Sequence, residues 1–126
     1  SEEELIFLTG HDDIEKGAVE IAGRFGMKLL AVTLGPKGCI CCVNGRIICE
    51  PAFNVKTIDT TGAGDSFWGA LLYQLISNKK DITEYRDDEI HELLRFSNAA
   101  GSLTTTEKGA INAMPDRQKI LSLLNK

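Results

Sequence analysis

The sequence predicts an α/β layer structure, and three observations carry that prediction. Apolar residues recur at helical spacing in several stretches, two short β-prone runs flank an Asn-Gly pair, and a mostly apolar run of strand length, KLLAVTL, precedes them. The 126 residues are length for one core rather than two. Hydrophobic residues make up 43% and charged residues 25%, the balance of a soluble globular chain. The 14 basic residues fall short of the 18 acidic ones, giving −4, so nothing suggests the basic patch of a nucleic-acid surface. No apolar run approaches the roughly 18 residues that a membrane span needs, so no membrane partner is expected.

Taken in order, Ser1-x-x-Glu4 before Leu5, Ile6, Phe7 and Leu8 reads as a capping box opening a short helix, which Gly10 ends. A second helix is expected from about Asp12 to Phe25, where Ile14, Ala18, Ile21, Ala22 and Phe25 share a face and Gly26 stops it. Lys28–Leu34 suits a strand buried on both faces. Gly35-Pro36-Lys37-Gly38 is a loop. A hairpin at about 39–50 follows, with a type I′ turn at Asn44-Gly45 that pairs Val43 with Arg46, Cys42 with Ile47 and Ile40 with Cys49. Val55–Thr60 reads as another short strand. Gly62-Ala63-Gly64 leads into a helix whose apolar stripe is Trp68, Leu71, Leu72, Leu75 and Ile76. Asn78–Asp88 is a polar connection, a helix runs from about Asp88 to Leu103, and 105–112 is a loop. Pro115 fits the first turn of a last helix that buries Ile120, Leu121 and Leu124.

The four cysteines lie between Cys39 and Cys49. Alternation in the hairpin sends Cys39 and Cys42 to opposite faces, and Cys42 and Cys49 meet only diagonally, roughly 7–8 Å apart, near or beyond disulfide reach. They read as small buried hydrophobes in a reducing, cytoplasmic setting. His11 and His91 have no partner nearby in sequence and read as surface histidines.

Chemistry concentrates in Asp59-Thr60-Thr61-Gly62-Ala63-Gly64-Asp65. A strand ending in a small-residue turn that opens a helix leaves backbone N–H groups unpaired beside the positive end of the helix dipole, a place suited to phosphate. Asp65, in the first turn, can accept a proton from a hydroxyl attacking that phosphate, or can simply complement the dipole. The P-loop pattern G-x-x-x-x-G-K-[ST] is missing, and Phe67 stands where the dinucleotide fingerprint needs its third glycine.

The stretch Asp59–Leu72, DTTGAGDSFWGALL, resembles the second signature of the ribokinase-like (PfkB-type) carbohydrate kinases, and among them looks most like bacterial fructokinases. Thr33-Leu34-Gly35-Pro36-Lys37-Gly38 resembles their nucleotide loop. Asn98–Thr104 with Glu107-Lys108-Gly109-Ala110 resembles their adenine and monovalent-cation segment. The resemblance implies a three-layer α/β/α, Rossmann-like fold, of which residues 1–126 form the C-terminal, ATP-binding and catalytic portion. It implies Asp65 as catalytic base and Gly62, Ala63 and Gly64 as anion hole. It implies Thr33, Gly35, Pro36, Lys37, Gly38 and Asn98 beside the nucleotide. For Lys37, Asn98 and the loop glycines a plain structural account stands alongside: a solvated charge, a polar helix position and a tight turn.

Cofactors implied by the resemblance are ATP, Mg²⁺ and K⁺. The K⁺ site would draw on Asp59 and on carbonyls of Thr61, Thr104, Glu107 and Gly109, with Ala113 standing where a hydroxyl ligand is often found. Glu4 aligns with an acidic residue that organises Mg²⁺, although Ser1-x-x-Glu4 is also a complete capping box. Expected partners are a nucleotide, a small sugar and the N-terminal half of the kinase, with no nucleic acid. The start at Ser1, without Met or a leader, reads as the edge of a fragment, inactive by itself and of undetermined oligomeric state. The competing readings are a nucleotide-binding module without catalysis and an assembly protein joined through a truncated sheet.

Overall fold

A computed structural model describes residues 1–126. Helix α1 spans Glu2–Thr9, and the Ser1 hydroxyl both accepts from the Glu4 N–H and donates to its carboxylate, completing the capping box. Helix α2, Ile14–Arg24, starts at Asp13, whose carboxylate accepts the Lys16 N–H. Three strands follow: β1 at Leu29–Thr33, β2 at Cys39–Val43 and β3 at Arg46–Glu50. They form one antiparallel sheet in the order β1-β2-β3. The hairpin register pairs Val43 with Arg46, Cys42 with Ile47 and Ile40 with Cys49, as the two-residue turn requires. Asn44 and Gly45 both have positive φ, the mark of that turn.

Alternation along the strands builds two cores. Leu30, Val32, Ile40 and Cys42 face Leu5, Ala18, Ile21 and Ala22 of α1 and α2. Ala31, Cys39, Cys41, Val43 and Ile48 face Phe67 and Leu71 together with Tyr85, Ile90, Leu93 and Leu94. Those residues belong to α3 (Ala63–Asn78), α4 (Asp87–Thr104) and the turn before α4. The sheet therefore has helices on both faces, the three-layer α/β/α arrangement. The last helix, α5 (Arg117–Leu124), packs on α4 through Ile120, Ala99 and Ala100.

Four expectations need correction. Val55–Thr60 is not a strand: its residues are irregular, and the Ile58 and Asp59 N–H groups donate to the Thr105 carbonyl at 2.7 and 3.1 Å instead of to a ladder. The buried side of α3 is Phe67 and Leu71, while Trp68, Leu72 and Ile76 are exposed, Ile76 at 74%. Packing on α4 turns α3 by about one residue from the stripe that spacing suggests. The polar connection at 78–88 contains a buried residue, Tyr85, after a 3₁₀ turn at Ile82–Glu84. Pro115 precedes α5 instead of entering it, because Asp116 is the cap and accepts the Lys119 N–H at 2.8 Å.

Candidate functional site

The turn before α3 is set by Asp59. One carboxylate oxygen accepts the Thr61 N–H at 3.0 Å and the Thr61 hydroxyl at 2.7 Å, and the other accepts the Gly109 N–H at 3.0 Å. These bonds hold the Asp59 carboxyl well below the usual carboxylate range, at about 2, the Thr61 bonds contributing most. Gly62 caps α3 at φ 80°, and a Cβ there would come within 2.8 Å of the Ala110 side chain. Glycine is needed for both reasons.

Capping by a residue without a side chain leaves the helix end open. The Ala63 N–H donates to the Thr60 carbonyl at 3.3 Å, whereas the N–H groups of Gly62, Gly64 and Asp65 donate to nothing in the chain. The unpaired donors are thus Gly62, Gly64 and Asp65, a set shifted from the Gly62, Ala63 and Gly64 that the motif suggests. Asp65 occupies the third position of α3, where a capping-box carboxylate would reach back to the cap N–H. It does not do so: its side chain is exposed and accepts no hydrogen bond from the chain.

This helix end opens on a cleft of about 560 Å³. Thr33, Gly35, Pro36 and Gly38 form one side, following β1 and the 3₁₀ turn Gly35–Lys37. The irregular segment after β3 continues the wall next to Gly38 with Ala52, Phe53, Asn54, Val55 and Thr57. Thr60, Ala63 and Gly64 lie at the helix end, and Asn98, Gly101, Ser102 and Thr105 of α4 and its cap form the floor. The structure therefore brings together Thr33, Gly35, Pro36, Gly38, Ala63, Gly64 and Asn98.

Other sequence candidates fall elsewhere. Lys37 points away from the lining and lies 4.0 Å from Glu2. Glu4 stays in the capping box of α1, where hydrogen bonds from the Ser1 amino group and then its hydroxyl hold the carboxyl below the usual range, and it does not line the cleft. No group of three His, Cys, Asp or Glu side chains is placed to hold a metal. The carbonyls of Thr61, Thr104, Glu107 and Gly109 accept no hydrogen bond within the chain, and the Asp59–Gly109 bond ties the loops carrying three of them together. Such hard oxygens suit a monovalent cation. His11 and His91 are exposed and contact Glu20 and Glu50 at 2.5 and 2.7 Å. The cysteines are all free, with burial pushing the Cys39 and Cys41 thiols up to about 12. Ala52, Phe53, Asn54, Val55, Thr57 and Thr105 escaped the sequence reading as lining residues, whereas Gly101 and Ser102 lie in the Asn98–Thr104 segment that it singled out without naming them individually. The run of small residues from Ser97 to Ser102 within a helix was the available signal.

The family model for the pfkB family carbohydrate kinases matches residues 1–117. The chain belongs to that family. Maize Fructokinase-1 is 44% identical over all of this chain, which corresponds to 38% of the maize protein. A fructokinase from Vibrio cholerae, solved with fructose, ADP and calcium, superposes with TM-score 0.86 at 38% identity, over 98% of this chain and 39% of its own. A double mutant of it, solved with fructose, ADP and potassium, gives 0.85 at 39% identity over 98% of this chain and 38% of its own. The pfkB-family chain thus spans well under half the length of these relatives, and the fructokinase likeness covers plant as well as bacterial proteins. No helix in it is long and apolar enough to cross a membrane.

Proposed function

We propose that this chain is the ATP-binding and phosphoryl-transfer portion of a fructokinase-like sugar kinase. The observation that carries this reading is the meeting, at one cleft, of the Thr33–Gly38 loop with Ala63 and Gly64 at an open helix end, the exposed Asp65 carboxylate following in the same first turn just outside the lining. ATP occupies the cleft, its base against the Ala52–Val55 wall and its phosphates toward α3. The Gly62, Gly64 and Asp65 N–H groups take up charge on the transferring group. The sugar hydroxyl oxygen attacks the γ-phosphorus, the bond to the β–γ bridging oxygen breaks, ADP leaves, and Asp65 accepts the hydroxyl proton. Mg²⁺ arriving with the nucleotide would supply neutralisation of the phosphate charge. K⁺ would be held by Asp59 and the partner-free carbonyls of Thr61, Thr104, Glu107 and Gly109.

Residues that recognise the sugar belong to an N-terminal portion, present in the longer relatives and supplied as a partner. Orientation of the hydroxyl contributes about 7–11 kcal/mol to such reactions, so the 126 residues alone are expected to turn over little or no fructose. The test combines this chain with the N-terminal portion of a homologous fructokinase and measures ATP-dependent fructose phosphorylation. Activity lowered about 10²–10⁴-fold by Asp65→Asn supports the reading. Nucleotide binding with no reconstituted turnover would instead identify a non-catalytic nucleotide-binding module.

A further inference from the structure

The irregular segment 51–59 has no strand beside it, and several of its backbone polar groups find partners on α4. One side of α4 and its cap supplies them. The Asn98 side-chain amide donates to the carbonyls of Glu50 at 3.0 Å and Pro51 at 3.1 Å. Ser102 Oγ accepts the Phe53 N–H at 3.3 Å. The Thr105 carbonyl accepts the Ile58 and Asp59 N–H groups. Arg95 lies 5.2 Å from the centre of the Phe53 ring. Residues 95, 98, 102 and 105 follow one another at steps of three and four, so they line one side of the helix.

We propose that this side of α4 is a positioning device that shapes the base-binding wall of the cleft, with Asn98 acting through the segment 51–59 and not as a donor to the nucleotide. Two carbonyls face the Asn98 amide nitrogen, which has two hydrogens to give, so the nitrogen has none left for a ligand. The same helix receives the start of α3. At Gly101 an added Cβ would lie 3.1 Å from the Ala63 carbonyl, so the helix end and the wall are both built on one rail. Asn98, Gly101 and Ser102 therefore determine the span between the wall that meets the base and the N–H groups that meet the phosphates. This inference rests on the cleft being the nucleotide site.

The test uses the whole chain with two probes, ATP and inorganic tripolyphosphate, in titration calorimetry, and amide hydrogen exchange at Phe53, Ile58 and Asp59. Tripolyphosphate reports on the helix end alone. Asn98→Ala and Ser102→Ala are expected to weaken ATP about tenfold, equivalent to about 1.4 kcal/mol. They are expected to leave tripolyphosphate binding unchanged and to speed exchange in the segment. Ser102→Thr, which keeps the hydroxyl, is expected to restore most of the ATP affinity. A general loss of structure would lower both affinities together and overturn the inference. So would unchanged ATP affinity beside faster exchange, or lost ATP affinity with the segment still protected, the latter marking direct contact. Failure of the unaltered chain to bind either probe would overturn the nucleotide reading itself, and this inference with it.

Discussion

The Asp59 carboxylate accepts the Gly109 N–H at 3.0 Å across 50 residues of sequence, joining the turn before α3 to the loop after α4. Through its other oxygen the same group fixes Thr61, so one ionised side chain organises both loops around the helix end. Its folded-state value of about 2 lies below the roughly 3.9 of a free aspartate. The stability it contributes is therefore complete above about pH 4 and is lost as the pH falls toward 2. Circular dichroism from pH 6 downward, at several urea concentrations, checks this. Asp59→Ala is expected to be less stable at pH 6 and to lose less of its stability over that interval.

Gly38 and Gly64 both line the cleft but are constrained differently. A Cβ on Gly38 would fall 2.1 Å from the Glu50 carbonyl oxygen and 2.6 Å from the Ala52 nitrogen, at φ 104°. Gly38→Ala is expected to cost at least about 3 kcal/mol in thermal or urea unfolding. Gly64 has open space and an ordinary helical backbone, so Gly64→Ala is expected to leave stability unchanged or slightly raised. Its methyl group would still obstruct close approach of a phosphate, so tripolyphosphate binding is expected to weaken.

Leu94 is completely buried between the sheet and α3, whereas Ile76 is 74% exposed on the outer side of α3. Leu94→Ala is expected to destabilise by about 2–5 kcal/mol. Ile76→Ser is expected to change stability by no more than about 0.5 kcal/mol, although spacing alone places both residues on apolar helix faces. Urea denaturation of the two variants decides the point.

Only Cys49 among the four cysteines is exposed. Burial raises all four thiols, Cys39 and Cys41 to about 12, and Cys39, Cys41 and Cys42, which are also closed off from solvent, are expected to be inert near neutral pH. Ellman's reagent at pH 8 should detect one reactive thiol in the native chain and four in urea. Cys49→Ser should remove the native reaction, and a second fast thiol in that variant would overturn the assigned burial.

Much of this molecule was legible in the order of its residues because the signals were local. A capping box, an Asn-Gly turn and period-two alternation each act over a few residues, and they placed α1, the hairpin register and the two faces of the sheet correctly. The Asp59–Asp65 turn was equally readable, since an open helix end depends on small residues next to one another. What escaped depended on partners far along the chain. Val55–Thr60 has the composition of a strand, but its N–H groups found Thr105 about fifty residues later and no ladder. Trp68 and Phe67 compete for the inner side of α3, and packing on α4 chose Phe67. Asn98 carries no local sign that its amide donates to the main-chain carbonyls of Glu50 and Pro51, almost fifty residues earlier. The sequence by itself determined the capping box of α1, the hairpin, the family and the small-residue turn that opens α3. Tertiary structure alone decided which face of α3 is buried and that α4 receives both the segment after β3 and the start of α3. The physical reason is that hydrogen bonds and apolar contacts between distant segments are made only once those segments are brought together.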